Sequence, residues 1–172
     1  MIKIGINGFG RIGRLVLRAI LENYDKKIQV VAVNDLGSIE TNAHLIKYDS
    51  THGILSSNIE TSKDGFKINN QNIKVFAEKN PENIPWKDVG AEIVLECTGI
   101  FLDKPSAEKH IKAGAKKVII SAPGKEVDFT IVQGVNSKDL RKEHNIISNG
   151  SCTTNCLAPV AMVLEKNFGI NY

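Results

Sequence analysis

The hexapeptide Gly8-Phe9-Gly10-Arg11-Ile12-Gly13 constrains this chain more than any other stretch, because of what stands on either side of it. Ahead of it, Ile2 to Asn7 is a short apolar run. Behind it, Arg11 to Tyr24 repeats apolar residues at helical spacing, through Ile12, Leu15, Val16, Ala19 and Ile20. A strand, a tight turn and a helix therefore follow in that order. Gln29 to Val33 is β-branched and continuously apolar toward its end, the pattern of a strand covered on both faces, and Asn34-Asp35 closes it. The opening 35 residues thus read as one βαβ unit. In such a unit glycines permit the tight turn and let the amides of a helix start approach a pyrophosphate. Asp35 lies 22 residues after Gly13, where a carboxylate accepts hydrogen bonds from an adenosine ribose and repels a 2′-phosphate. The glycine pattern alone is weak; with its strand, helix and acidic partner it points to NAD rather than NADP.

Strand and helix signals continue to alternate. Thr41 to Tyr48 reads as a short helix, and Ile54 to Phe76 alternates apolar and polar residues around two turn sequences, which predicts an antiparallel excursion. Pro81 and Pro85 mark a loop with the single tryptophan, Trp86. Glu92 to Cys97 is a buried strand ending in Thr98-Gly99, Pro105 to Ala113 a helix with proline in its first turn, and Lys117 to Ile120 a strand ending at Ser121. Phe129 to Val135 and Asn145 to Ser148 are further strand candidates. This order predicts an α/β fold with a Rossmann-type, doubly wound, mostly parallel sheet over residues 1–150. Ser151 to Asn167 follows as a helix, stopped by Gly169, in which Pro159 predicts a kink or a widened turn.

Charge and composition narrow the function classes. The net charge is only +3 and the lysines are scattered, so nucleic acid is not the expected partner. There is no leader pattern and no apolar stretch long enough for a membrane helix, which predicts a soluble protein without a membrane partner. Three cysteines without a secretory signal argue against a disulfide framework. Of these, Cys152 opens a helix, where free amides and the helix dipole favour a thiolate, and Ser151 and Thr153 supply hydroxyls that can cap the helix or hold a phosphate. Taken alone, Cys152 is as readily a packed residue as a nucleophile. Cys97 and Cys156 read as core packing. His44, His52, His110 and His144 show no ligand spacing, so no metal is expected.

Taken together, Ile6-Asn7-Gly8-Phe9-Gly10-Arg11-Ile12-Gly13-Arg14, Tyr48-Asp49-Ser50-Thr51-His52-Gly53, Ser121-Ala122-Pro123-Gly124-Lys125 and Ser151-Cys152-Thr153-Thr154-Asn155-Cys156 resemble phosphorylating glyceraldehyde-3-phosphate dehydrogenase. The resemblance runs from Met1 to Tyr172. It implies that a Cys152 thiolate attacks the aldehyde of glyceraldehyde 3-phosphate, that hydride passes to NAD, and that inorganic phosphate releases the acyl group as 1,3-bisphosphoglycerate. It also implies site roles. Arg11 and Ile12 contact the pyrophosphate, Asp35 the adenosine ribose, Lys79 the adenine side and Ser121 the nicotinamide half; Thr98 and Gly99 line the same cleft, and Ser151 and Thr153 bind phosphate. Lys79 departs from the arginine common in the family, and the two side chains differ as hydrogen-bonding forks.

Family chains are longer, and their cysteine-activating histidine lies in a catalytic domain of which residues 151–172 supply only the first helix. The expectation is a chain that binds NAD but is inactive alone, with apolar residues such as Leu157, Ala161 and Leu164 left exposed. The resemblance further implies a cytoplasmic glycolytic enzyme and a homotetramer. Two rival readings stand beside it: erythrose-4-phosphate dehydrogenase, and a non-catalytic NAD-binding module. The enzyme reading expects both helix starts, after Gly13's turn and at Ser151, to face one cleft.

Overall fold

The apolar runs and the helical repeats settle into the alternation their spacing dictates. In the computed structural model, which describes residues 1–171, β1 (Ile2–Asn7) leads into α1 (Arg11–Asn23), β2 (Ile28–Asn34) and α2 (Ile39–Lys47). A two-stranded ribbon, β3 (Tyr48–Asp49) with β4 (Gly53–Ile54), precedes β5 (Ile59–Ser62), β6 (Gly65–Ile68) and β7 (Gln71–Phe76). Then come β8 (Ile93–Glu96), α3 (Lys104–Lys112), β9 (Lys117–Ile120), β10 (Phe129–Thr130), β11 (Ile146–Ser148) and α4 (Cys152–Phe168). Ser38 caps α2 by accepting from Thr41 N–H, and Asp103 caps α3 by accepting from Ser106 N–H.

Among the described residues the main sheet has nine strands in the order β10-β11-β9-β8-β1-β2-β7-β6-β5. From β10 to β7 every pairing is parallel, and the β5–β6–β7 excursion is antiparallel, as the alternation over 54–76 predicts. Chain order reverses between β1 and β8. At such a switch point the helices leave toward opposite faces and open a crevice beyond the carboxyl ends of the strands.

Ile4, Ile6, Val30 and Val33 pack under α1 with Leu17 and Ile20, while Val31, Ala32 and Val94 face Trp86, Ile84 and Ala115 on the other side. A register shift at Ile4/Gly5 lets Val31 and Ala32 turn to that second face. Gly5 is what admits the indole: a Cβ there would lie 2.4 Å from a Trp86 ring carbon.

One expectation changes in detail. Phe129 to Val135 forms a strand only over Phe129–Thr130, because the Asn136 side chain takes over: its amide donates to Thr130 O and its carbonyl accepts from Val132 N–H, folding the segment into a turn. α4 runs from Cys152 to Phe168 with Pro159 inside it.

Candidate functional site

The carboxyl ends of the parallel strands are laced together one residue beyond the strands themselves. Gly8 N–H donates to Asn34 O at 2.9 Å, Cys97 N–H to Asn7 O at 2.7 Å, Ser121 N–H to Glu96 O at 2.9 Å and Asn149 N–H to Ile120 O at 2.9 Å. The turns after β1, β8, β9 and β11 therefore stand side by side along one edge. Three strand spacings separate β1 from β11, so the turn that leads from β11 into α4 begins on the order of 14 Å along this edge from the glycine turn.

The three glycines of the turn meet three different constraints. Gly8 has φ +88° and sits so close to the turn after β8 that a Cβ would lie 2.7 Å from Thr98 N. At Gly13 a Cβ would lie 2.2 Å from Gly8 O, so only glycine lets α1 pack down on its own turn. Gly10 faces open space, and as the helix cap it offers no side chain to the first amides of α1. Those amides are free to meet an anion.

Asp35 is tied to the turn directly. Its Oδ2 accepts from Phe9 N–H at 2.9 Å, and its Oδ1 from Gly37 N–H at 2.8 Å and, at a long 3.5 Å, from Asn42 Nδ2. A carboxylate has about four acceptor positions, so roughly one or two remain for outside donors. Beside it opens a cleft of about 530 Å³, lined by Gly8, Gly10, Asp35, Lys79 and Thr98, with Leu36, Ile100 and Phe101 as apolar walls. Arg11, Ile12, Gly13, Gly99, Ser121 and Cys152 do not line this cavity: Gly99 and Ser121 stand in turns that follow β8 and β9, and the others open the helices α1 and α4. The Arg11 guanidinium turns to Asp49 Oδ2 at 2.8 Å, so a role for Arg11 at a pyrophosphate falls to its backbone amide. Asp49 itself is held well below the usual carboxylate range by backbone N–H donors from His52 and Thr51, with Arg11 adding to them.

The three thiols part company. Cys152 is exposed at the first position of α4, whose cap is Ser151: its Oγ accepts from Thr154 N–H at 2.9 Å and lies 2.8 Å from Thr153 Oγ1. Cys97 is half-buried against the first core cluster, and burial pushes its thiol up to about 11, with the Glu96 charge adding and a Ser121 hydrogen bond opposing. Cys156 is exposed, which corrects the reading of it as core: α4 buries none of its residues, so no core exists on that side for Cys156 to join.

The reading from sequence missed a buried polar row under the cleft. Asn7, Asn34 and Glu96 are register partners at the last positions of β1, β2 and β8, and all three are buried. Their signal was visible: each is a polar residue that closes a mostly apolar strand. His110 and Trp86, which join the row, carried no such sign. Among the four histidines, His110 bonds Glu96, His52 pairs with Asp49, His44 packs on Tyr48 and His144 on Phe129.

Comparison with known proteins adds sequence kinship to this geometry. A family model described as "Glyceraldehyde 3-phosphate dehydrogenase, NAD binding domain" matches residues 2–104, and one described as "Glyceraldehyde 3-phosphate dehydrogenase, C-terminal domain" matches residues 151–172. The glyceraldehyde-3-phosphate dehydrogenase of Pseudomonas aeruginosa is 52% identical over 172 residues, covering 99% of this chain and 52% of the relative. That of Geobacillus stearothermophilus is 56% identical over 170 residues, covering 98% of this chain and 50% of the relative. A third, from Streptomyces coelicolor, is 55% identical over 170 residues with the same coverage, 98% and 50%. The chain thus spans about half the length of the curated relatives it matches.

Proposed function

This chain belongs to the glyceraldehyde 3-phosphate dehydrogenase family and carries its NAD binding domain, and from that premise we propose that the whole enzyme oxidises glyceraldehyde 3-phosphate with inorganic phosphate to 1,3-bisphosphoglycerate. The observation that carries the proposal is the laced row of strand ends, which sets Asp35, the open helix start after Gly10 and the Cys152 helix in sequence along one edge.

NAD fits the residues present. Gly10 leaves open space before the free amides of Arg11 and Ile12, which take the pyrophosphate, and the remaining lone pairs of Asp35 accept the ribose hydroxyls. Gly8 and Gly13 let the turn close, Thr98, Gly99 and Lys79 border the adenosine half, and Ser121 stands toward the nicotinamide half. When bound, NAD supplies the acceptor for a hydride. Cys152 supplies the nucleophile: its sulfur bonds the aldehyde carbon and holds the acyl group as a thioester until a phosphate oxygen displaces it. The hydroxyls of Ser151 and Thr153 are placed at the same helix start to hold phosphate oxygens. Residues 1–150 form the NAD-binding unit in this reading, since β9, β10 and β11 complete its sheet, and 151–172 open the catalytic domain.

The cytoplasm, which keeps thiols reduced, suits the free Cys97, Cys152 and Cys156. Among the described residues no helix is long and apolar enough to cross a membrane. We assign the homotetramer to the whole enzyme. Among the described residues the histidines bond or pack elsewhere and none is bonded to Cys152, which in this reading leaves the 172-residue chain by itself without turnover of the aldehyde.

Calorimetric titration with NAD and with NADP tests the reading. NAD binds and NADP binds at least about tenfold more weakly, the order expected for a carboxylate at the ribose. Absence of NAD binding, or equal affinity for both, would overturn the assignment of the cleft. NADH formation by the chain alone would overturn its inactivity.

A further inference from the structure

One buried charged side chain beneath the cleft has no part in the proposal above. Glu96 is fully buried, at 0% side-chain exposure, and four donors converge on it. Its Oε2 accepts from Asn7 Nδ2 at 2.6 Å and from His110 Nε2 at 2.9 Å; its Oε1 accepts from Thr98 N–H at 2.7 Å and from the Thr98 hydroxyl. A carboxylate's acceptor positions are thereby all filled without any cation.

The direction of these bonds is set from outside. Trp86 Nε1–H can only donate, and it does so to His110 Nδ1 at 3.0 Å, which leaves Nε2 as the protonated nitrogen of a neutral ring. His110 therefore has to donate to Glu96. On the other side Asn7 Oδ1 accepts from Asn34 Nδ2 at 2.8 Å, and Asn34 in turn grips the backbone of Glu78, donating to its oxygen at 2.9 Å and accepting from its N–H at 2.8 Å. The Thr98 hydroxyl, committed to Glu96, also accepts from Ile100 N–H at 3.1 Å. Both rims of the cleft, the Thr98–Ile100 turn and the Glu78–Lys79 loop, thus hang from one register-aligned row.

We propose that Glu96 is a positioning residue for NAD: through Thr98 and through Asn7 and Asn34 it holds the two rims of the cleft at the separation the adenosine half requires. The proposal rests on the cleft being the NAD site. Glutamine at this position keeps the shape but aims an amide donor at a donor, whichever way it turns, since Thr98 N–H stands on one side and Asn7 and His110 on the other.

The test is NAD titration of four variants of the chain beside the wild type, each checked for folding by far-ultraviolet circular dichroism. Glu96→Gln weakens NAD binding at least about tenfold. Ile68→Ala, which opens a cavity two strands beyond β2 and matches the loss of thermal stability, leaves affinity within about twofold of wild type. His110→Phe, which removes one donor to Glu96 from a buried position outside the cleft lining, weakens binding, whereas His110→Gln, whose amide can still donate to Glu96, retains it; this pair decides the matter if Glu96→Gln does not fold. Wild-type affinity in Glu96→Gln, equal losses in Glu96→Gln and Ile68→Ala, or equal behaviour of His110→Phe and His110→Gln would each overturn the positioning role. A wild-type chain that does not bind NAD would instead overturn the reading of the cleft, a different result from any of these.

Discussion

Residues that look alike on paper carry different loads here, and the glycines of the first turn separate them. Gly13→Ala drives a methyl into Gly8 O, 2.2 Å from where its Cβ must go, and is expected to cost about 3 kcal/mol of stability, read as a lowered midpoint in urea unfolding. Gly10→Ala meets nothing within 4 Å, costs less than about 1 kcal/mol, and instead weakens NAD binding by obstructing the approach to the helix start. Finding the two effects exchanged would refute the division of roles. The thiols divide in a similar way. Because the thiolate is the reactive form, iodoacetamide at pH 8 is expected to label exposed Cys152 and Cys156 and to spare Cys97, whose thiol is pushed up to about 11. Labelling of Cys97 rises only as the pH climbs toward that value, and peptide mass spectrometry across the pH series checks it.

Single side chains also decide how elements sit against one another. Arg18, buried in α1, spends its guanidinium on the carbonyls of Ile46, Lys47 and Gly53, all at 2.9 Å, so it closes the end of α2 and fastens it to α1. Asp128 does the same for α3 and β11. Its Oδ1 accepts from Lys104 Nζ at 2.7 Å, and its Oδ2 from Asn145 N–H at 2.8 Å and Ile146 N–H at 2.9 Å. Partial burial raises this carboxyl, but those donors outweigh it and bring it down to about 2. A carboxyl whose folded value lies below its unfolded one stabilises the fold above about pH 4 and loses that contribution as the pH falls toward 2. With Lys104 partly exposed, the contribution is about 1–2 kcal/mol. Asp128→Asn removes it at neutral pH and flattens the acid side of the stability profile between pH 4 and 2. A profile with the wild-type slope there would show that other carboxyls govern acid unfolding.

At the scale of the whole molecule, α4 stands apart. Leu157, Val160, Val163 and Leu164 are exposed on it, between 46% and 67%, and no residue of the helix is buried. Such a contiguous apolar face predicts association at micromolar concentration. Light scattering of the chain is expected to show concentration-dependent growth, and the double variant Leu157→Lys with Val160→Lys to reduce it. A wild-type chain that stays monomeric throughout the series would contradict this.

Sequence alone determined the order of elements, because apolar spacing reports which face of each segment avoids water, and β1, α1, β2 and the 54–76 excursion follow from that spacing directly. It also marked Gly8, Gly10, Gly13 and Asp35, because the glycine spacing and the acid that closes the second strand are local features of one βαβ unit. Tertiary structure alone decided what depends on pairing across distance: that Asn7, Asn34 and Glu96 fall into register, that His110 and Trp86 reach them, and that Cys156, unlike Cys97, finds no core to join. Those outcomes hang on which strands lie side by side and which helix face finds a partner, and no local period encodes either.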